Sequence, residues 1–226
     1  MRRYDFVFLV LSGIFLSSLV ISNTLVFKFF DIYLPFVGIA TLSVGILPYP
    51  VTFLCTDLIS ELYGQKRADA LVITGLIVSL YMMLILQIGR VVPLSHLQDA
   101  PIQEHYLAVF GQSTRAIFAS MVAYLFAQFI DVRLYHFWRR VTKGKHLWLR
   151  NNASTMLSQL VDTAAVVTIL FYGVWTTEQI INVIIAGYIF KLIVALCDTP
   201  LMYLGARIFR DIEAESRSNG LIHEAA

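Results

Sequence analysis

Long apolar runs alternate with short polar segments along the whole chain. A helix rises 1.5 Å per residue, so about 20 apolar residues cross the roughly 30 Å hydrocarbon core of a bilayer. We therefore predict an all-α membrane protein with six transmembrane helices. Their spans are residues 5–27, 35–62, 69–90, 114–136, 153–174 and 179–205.

The second run is interrupted by two prolines, Pro48 and Pro50, which follow Gly45 closely. Proline lacks an amide donor and frees a carbonyl one turn earlier, which a membrane tolerates only where protein or a water-filled cavity satisfies that carbonyl. We predict a second helix that is kinked or broken at Pro48 and Pro50. Such a break either serves packing alone or borders a transport site, so both prolines are candidate gating or structural residues.

The positive residues indicate the orientation of the chain, because lysine and arginine concentrate on the cytoplasmic side of membrane proteins. Three fall on one side: Lys28, Arg90 and Arg115. The other side has many more: Arg2, Arg3, Lys66, Arg67, Arg133, Arg139, Arg140, Lys143, Lys145, Arg150, Arg207, Arg210 and Arg217. We expect both termini in the cytoplasm of a multi-pass inner-membrane protein, with a transmembrane domain of residues 1–210 and a polar tail of residues 211–226. The basic cluster at 139–150 is expected to contact lipid headgroups rather than nucleic acid.

Composition excludes several classes of function. Apolar residues make up 58% of the chain and charged residues 14%, and the mean hydropathy is +0.73. Six helices occupy nearly the whole length, and no phosphate-binding loop motif is present, so any coupling to ATP would come from a partner. No catalytic motif is visible and we predict no enzyme activity and no cofactor. His96 and His105 lack two further ligands, so no metal site is expected.

Lys191 and Asp198 lie where hydrocarbon is expected, and a lone charge at that depth costs roughly 2.5–3.5 kcal/mol on insertion scales. Asp162 lies nine residues into the fifth span, about 14 Å deep, and Lys191 lies twelve residues into the antiparallel sixth, about 18 Å from the opposite face. The two side chains are therefore at nearly the same level. We predict that Asp162 and Lys191 pair.

Asp57 and Glu61 are four residues apart and share one helical face. Two carboxylates there repel each other unless something is bound between them or one is protonated. Glu61 is near the cytoplasmic end, where an ion pair with Lys66 or Arg67 is the alternative to a functional role. Asp57 lies deeper and is a candidate for function.

The fourth span places Tyr124, Gln128, Asp131 and Tyr135 at helical spacing on one face. Part of this stripe is expected to face inward. Asp131 is either half of an ion pair with the neighbouring Arg133 or a ligand contact. In the first span, Asn23 stands out among small polar residues because its amide has enough hydrogen-bonding groups to recognise a ligand.

Together these residues resemble the queuosine precursor transporter family over residues 20–205. The most specific stretch is Thr56-Asp57-Leu-Ile-Ser-Glu61-Leu-Tyr63-Gly64. The resemblance also rests on Ile21 to Asn23, Gly45 to Pro50, Ser154 to Thr163, Tyr188 to Lys191 and Asp198 to Pro200.

The resemblance implies import of a 7-deazaguanine for tRNA modification: 7-cyano-7-deazaguanine, 7-aminomethyl-7-deazaguanine or queuine. A guanine-like edge offers donors to a carboxylate and a carbonyl to an amide or ammonium, and its flat ring stacks on aromatic faces. The substrate-binding candidates are Asn23, Asp57, Gln159, Asp162, Tyr188, Lys191 and Asp198, with Tyr49 as an alternative stacking residue. The gating or structural candidates are Pro48, Pro50, Glu61, Gln128 and Asp131.

The expected partners are the 7-deazaguanine substrate and membrane lipids, and the sequence leaves open whether the chain forms a homodimer. Six small helices fit a secondary or facilitative carrier. They also fit a substrate-capture subunit that needs a separate ATPase module. A purely structural membrane protein would have little use for Asp162, Lys191 and Asp198 at depth.

Overall fold

Seven α-helices and one β-hairpin build the part of the chain that the computed structural model describes, residues 3–25, 28–34, 38–99, 101–110 and 114–218. In chain order they are α1 (Arg3–Thr24), β1 (Phe29–Leu34), β2 (Gly38–Ser43), a 3-10 helix (Val44–Ile46), α2 (Tyr49–Tyr63), α3 (Gln65–Val91), α4 (Pro101–Phe110), α5 (Thr114–Val141), α6 (Leu147–Phe171) and α7 (Thr177–Ser218).

The long helices are apolar, as is typical of a membrane protein. Among the described residues, four helices are long and apolar enough to cross a bilayer: Arg3–Thr24, Gln65–Val91, Leu147–Phe171 and Thr177–Ile208. Large apolar side chains such as Ile77 and Leu84 on α3 are more than half exposed, as expected of surfaces that contact lipid. Five predicted spans coincide with a single long helix each: α1, α3, α5, α6 and α7.

The second predicted span, residues 35–62, was expected to be a helix kinked or broken at Pro48 and Pro50. Its first described part is instead strand β2, which pairs with β1 in antiparallel register, Phe30 opposite Leu42. The helix α2 begins only at Tyr49, with Pro48 as its N-cap and Pro50 at its second position. Proline is tolerated there because the first amides of a helix have no intrahelical acceptor. The break is therefore where the prolines are, but they start a helix rather than kink one.

Two further elements were not predicted. Helix α4 lies between the third and fourth predicted spans, and α7 continues to Ser218, through the first half of the predicted polar tail. The rest of that tail, residues 219–226, lies outside the described residues. Helix α2 has 15 residues and is about 22 Å long, which is shorter than the hydrocarbon core.

Helices α1, α3 and α5 meet around Gly75 of α3. Tyr124 on α5 is buried and donates a hydrogen bond of 2.8 Å to the carbonyl of Val72 on α3. Gly75 makes this approach possible, because a Cβ there would clash with the hydroxyl of Tyr124 and would lie 2.9 Å from the ring of Phe15 on α1. The α5 stripe predicted from the sequence does face inward, since Gln128, Asp131 and Tyr135 are also fully buried.

Candidate functional site

A cavity of about 220 Å³ lies between the end of α1, the segment from β2 to α2, and helices α5, α6 and α7. Its wall is largely apolar and includes Leu42, Val166, Val167 and Phe171. A smaller set of polar side chains also lines it: Ser22, Asn23, Ser43, Tyr49, Ser120, Asp162, Thr163 and Lys191. An apolar cavity with a few polar groups is typical of small-molecule sites, whose pockets measure roughly 300–1,000 Å³. At about 220 Å³, this cavity suits a small ligand.

An ion pair between Asp162 and Lys191 is the main charged feature of the cavity wall. The Lys191 ammonium lies 2.5 Å from Oδ2 of Asp162, and the two side chains are 8% and 6% exposed. The Tyr49 hydroxyl donates to the other oxygen, Oδ1, at 2.9 Å. The ammonium also lies 5.0 Å from the centre of the Tyr49 ring, within the range of a cation–π interaction. The pairing predicted from depth alone is confirmed.

Local sequence explains how three separate elements bring these groups together. Tyr49 is the first residue of α2, so the prolines that start this helix also fix the position of its ring. Gly187 precedes Lys191 by one turn on α7, and a Cβ there would lie 3.3 Å from the methyl group of Thr163 on α6. A glycine at this position therefore allows α7 to approach α6 closely enough for the ion pair.

The site retains hydrogen-bonding capacity for a ligand. Lys191 has three N–H donors, and each oxygen of the Asp162 carboxylate has two lone pairs, so both groups can bond a ligand while they remain paired. Asn23 on α1 also lines the cavity, where its Oδ1 accepts a hydrogen bond of 2.9 Å from Ser120. Phe171 on the apolar wall is stacked on Trp175 at 3.6 Å between ring centres. The arrangement can bind a flat ring by its polar edges.

A column of buried polar groups continues from the cavity through the bundle. On α2 and α5, Gln128 donates to the hydroxyl of Thr52 at 3.3 Å and accepts from Thr56 at 3.3 Å. Next along the column, away from the cavity, Thr155 on α6 donates to Asp57 at 3.3 Å. Ser158 donates to Asp131 at 2.9 Å.

A charged cluster closes the far end of this column. Arg150, whose side chain is 1% exposed, donates to Glu61 at 2.5 Å. Tyr135 donates to the other oxygen of Glu61 at 3.0 Å, and Arg139 lies 3.9 Å from the same oxygen. Arg150 also donates to the carbonyl of Gly144 at 2.7 Å. These contacts connect α2, α5 and the start of α6, so this end of the bundle is sealed.

Two expected ion pairs are replaced by others. Glu61 was expected to pair with Lys66 or Arg67, but its partners are Arg150 and Arg139, because the chain turns at Gly64 with a positive φ of 82° before α3 begins. The guanidinium of Arg67 instead lies over aromatic rings at the start of α1.

Asp131 does not pair with Arg133 either. Residues two apart on a helix do not face each other, so Asp131 points into the bundle while Arg133 points outward. Arg133 pairs with Asp69 on α3 at 2.9 Å, and both side chains are partly exposed.

The structure brings only part of the predicted site together. Asn23, Asp162 and Lys191 line the cavity, whereas four other candidates are not among its lining residues: Asp57, Gln159, Tyr188 and Asp198. Asp198 is half-buried on α7, about 10 Å along the helix from Lys191. Arg150 was missed, because it stood among the basic residues of a predicted loop and its only signal was the polar helix face that follows it.

The family and the two relatives that this chain resembles are all described as transporters. The family described as "Putative vitamin uptake transporter" matches residues 43–205. The chain is 30% identical to a Bacillus subtilis (strain 168) protein named "Probable queuosine precursor transporter" over 178 residues, which is 78% of this chain and 76% of that protein. It is 25% identical to the "Queuosine precursor transporter" of Escherichia coli (strain K12) over 162 residues, 70% of each chain. No solved structure matches significantly.

Proposed function

Because the chain belongs to the vitamin uptake transporter family, we propose that it imports queuosine precursors across the cell inner membrane for tRNA modification. The proposed substrates are 7-cyano-7-deazaguanine, 7-aminomethyl-7-deazaguanine and queuine. The two relatives named as queuosine precursor transporters support this substrate class. The abundance of lysine and arginine on one side supports cytoplasmic termini.

The observation that carries the proposal is the buried Asp162–Lys191 pair in the cavity wall, held by Tyr49. A guanine-type edge has ring N–H and amino donors next to a carbonyl acceptor. The carboxylate of Asp162 can accept from the donors while the ammonium of Lys191 donates to the carbonyl. Such a paired recognition would reject bases that reverse the pattern, because buried polar groups would then be left unpaired.

The walls of the cavity fit the rest of such a substrate. The ring of Tyr49 and the apolar side chains of α6 offer flat surfaces to a fused ring. Asn23, which also lines the cavity, can recognise a second edge or the substituent at position 7. Gln159 and Tyr188, the alternatives considered for the amide and stacking roles, are not lining residues in this conformation.

The position of the cavity supports import by alternating access. It lies at the C-terminal end of α1, while the Glu61–Arg150 cluster closes the other end of the polar column. If the N-terminus of α1 is cytoplasmic, the cavity is on the outer side and the closed end faces the cytoplasm. Opening that cluster would then release the substrate inward.

The test is uptake of labelled 7-deazaguanines into cells that lack their own synthesis of these bases, with and without the chain. We expect uptake that unlabelled 7-cyano-7-deazaguanine suppresses and adenine does not. Asp162→Asn should abolish uptake, whereas the matched control Asp69→Asn, which breaks an exposed ion pair, should preserve it. Absence of uptake of all three bases at normal expression would refute the proposal.

A second measurement addresses the capture-subunit alternative. The purified chain alone, reconstituted into liposomes, should exchange labelled 7-cyano-7-deazaguanine with unlabelled base inside. Binding without exchange, and exchange restored only by added ATPase subunits, would favour the capture subunit.

A further inference from the structure

Two buried carboxyl groups lie close together between the cavity and the closed end. Asp57 on α2 is 1% exposed and Asp131 on α5 is 0% exposed. Asp57 accepts a hydrogen bond from Thr155 and Asp131 accepts one from Ser158, and these two hydroxyl groups are one turn apart on the same face of α6. Neither of them lines the cavity.

This region has too few hydrogen-bond donors. Oδ1 of Asp57 and Oδ2 of Asp131 are buried and receive no hydrogen bond within the described part of the chain. The same holds for Oδ1 of Asn151 and Oε1 of Gln159, two side chains of α6 that are 4% and 3% exposed. Asn151 precedes Thr155, the partner of Asp57, by one turn. All four oxygens are acceptors, and unsatisfied acceptors are rare in folded proteins, so a donor belongs here.

The surrounding charges do not balance the two carboxyl groups. Titratable and charged residues occur at the two ends of the column on each helix that forms it: Glu61 on α2, Tyr135 and Arg139 on α5, Arg150 and Asp162 on α6, and Lys191 on α7. Arg150 and Arg139 are paired with Glu61, and Lys191 is paired with Asp162. Among the described residues, the cations at both ends of the column are therefore already engaged. Two adjacent carboxylates without a cation repel, and sharing one proton removes that repulsion.

We propose that Asp57 and Asp131 form a proton-binding site, separate from the substrate cavity, that takes up a proton on one side of the membrane and releases it on the other in each transport cycle. The proton binds one carboxylate oxygen, donates to the other carboxyl group, and leaves unchanged. This inference rests on the proposed transport function.

The place of the pair along α2 fits this role. Asp57 is two turns, about 12 Å, from Tyr49 at the cavity and one turn, about 6 Å, from Glu61 at the closed end. The hydroxyl and amide groups of Thr52, Thr56 and Gln128 lie between the cavity and the pair. These groups keep the path between the cavity and the pair polar, and the proton departs when the Glu61–Arg150 contact opens.

A direct test needs neither substrate nor transport. Infrared spectroscopy of the purified wild-type chain at pH 7 should show the carbonyl band of a protonated carboxyl group. That band should be lost or displaced in Asp57→Asn and in Asp131→Asn, and unchanged in Asp69→Asn. Absence of the band in the wild type, or a band that neither variant alters, would overturn the proposal. The presence or absence of the band in the wild type can be measured without any variant. The proposal therefore stays refutable even if a variant fails to fold.

Transport in liposomes provides the second test, with labelled 7-cyano-7-deazaguanine as the probe. An inward proton gradient should drive accumulation of the base by the wild type. Asp57→Asn should reduce this accumulation to the level measured without a gradient. The same variant should reduce the exchange of labelled for unlabelled base less strongly. Accumulation that does not depend on the proton gradient, or that a sodium gradient drives instead, would refute the proposed proton site. A wild-type chain that neither exchanges nor binds any deazaguanine would instead refute the proposed function and leave the infrared result standing.

Discussion

Replacing Lys191 by methionine would leave the Asp162 carboxylate in the cavity wall without its cation. Methionine keeps most of the length of the side chain and removes the charge, so packing changes little. The hydroxyl of Tyr49, at 2.9 Å, would be the remaining donor to the carboxylate. Because both partners are more than nine-tenths buried, we expect the fold to lose about 3–5 kcal/mol, the cost of breaking a buried ion pair from one side.

The double variant Asp162→Asn with Lys191→Met separates pairing from packing. Removing both charges leaves no uncompensated carboxylate, so the double variant should be more stable than Lys191→Met, with a coupling energy of about 2–3 kcal/mol. Denaturant unfolding of the purified chain in lipid nanodiscs measures these free energies. The matched control is the exposed pair Arg133→Met with Asp69→Asn, where we expect less than about 1 kcal/mol.

Uptake of labelled substrate completes this experiment. Each single variant should be inactive, and the double variant should be no better than either, because the site needs both charges to recognise the base. Additive losses of stability, with a coupling energy near zero, would show that Asp162 and Lys191 act independently and would refute the reasoning.

Three further substitutions test other parts of the structure by the same unfolding measurement. Arg150→Met should lower the free energy of unfolding by about 3–5 kcal/mol, because it leaves the buried carboxylate of Glu61 without this cation. A loss below about 1 kcal/mol would contradict the buried ion pair. Tyr49→Phe should cost about 1.5–3 kcal/mol, since it removes a hydrogen bond to a charged group; a neutral result would mean that this bond is not formed. Gly75→Ala should cost about 1–3 kcal/mol by overpacking, whereas Gly13→Ala, with open space around it, should stay within about 1 kcal/mol of wild type.

The sequence predicted the helices with long apolar runs and the pairing of Asp162 with Lys191. Both follow from local quantities, namely the length of a run and the depth of a residue at 1.5 Å per residue. The inward stripe of α5 was predicted for the same reason, because helical spacing alone places Gln128 and Asp131 on one face.

The β-hairpin was not predicted, because β1 lies between the first two predicted spans and β2 lies in an apolar run that was assigned to the second span. A short apolar run does not distinguish a strand from a buried helix by periodicity. The prolines gave the position of the break, but Pro48 and Pro50 fit the start of a helix as well as a kink within one.

Contacts that depend on tertiary structure could not be predicted either. The partner of Glu61 is 89 residues away, at Arg150. Nearby Lys66 and Arg67 were simpler candidates on sequence distance alone. Similarly, the depth of Asp57 could be predicted from the sequence, but its hydrogen bond from Thr155, 98 residues away, could not. Its role as a substrate contact stays a prediction.

Equilibrium binding of 7-cyano-7-deazaguanine to the purified chain tests the central claim most directly, because it needs neither a gradient nor a partner. Titration calorimetry should show one site that guanine-like bases occupy and adenine does not. Asp162→Asn should abolish binding, and Asp69→Asn should bind like wild type. Absence of binding by all three proposed precursors to folded protein, or full binding by Asp162→Asn, would contradict the account.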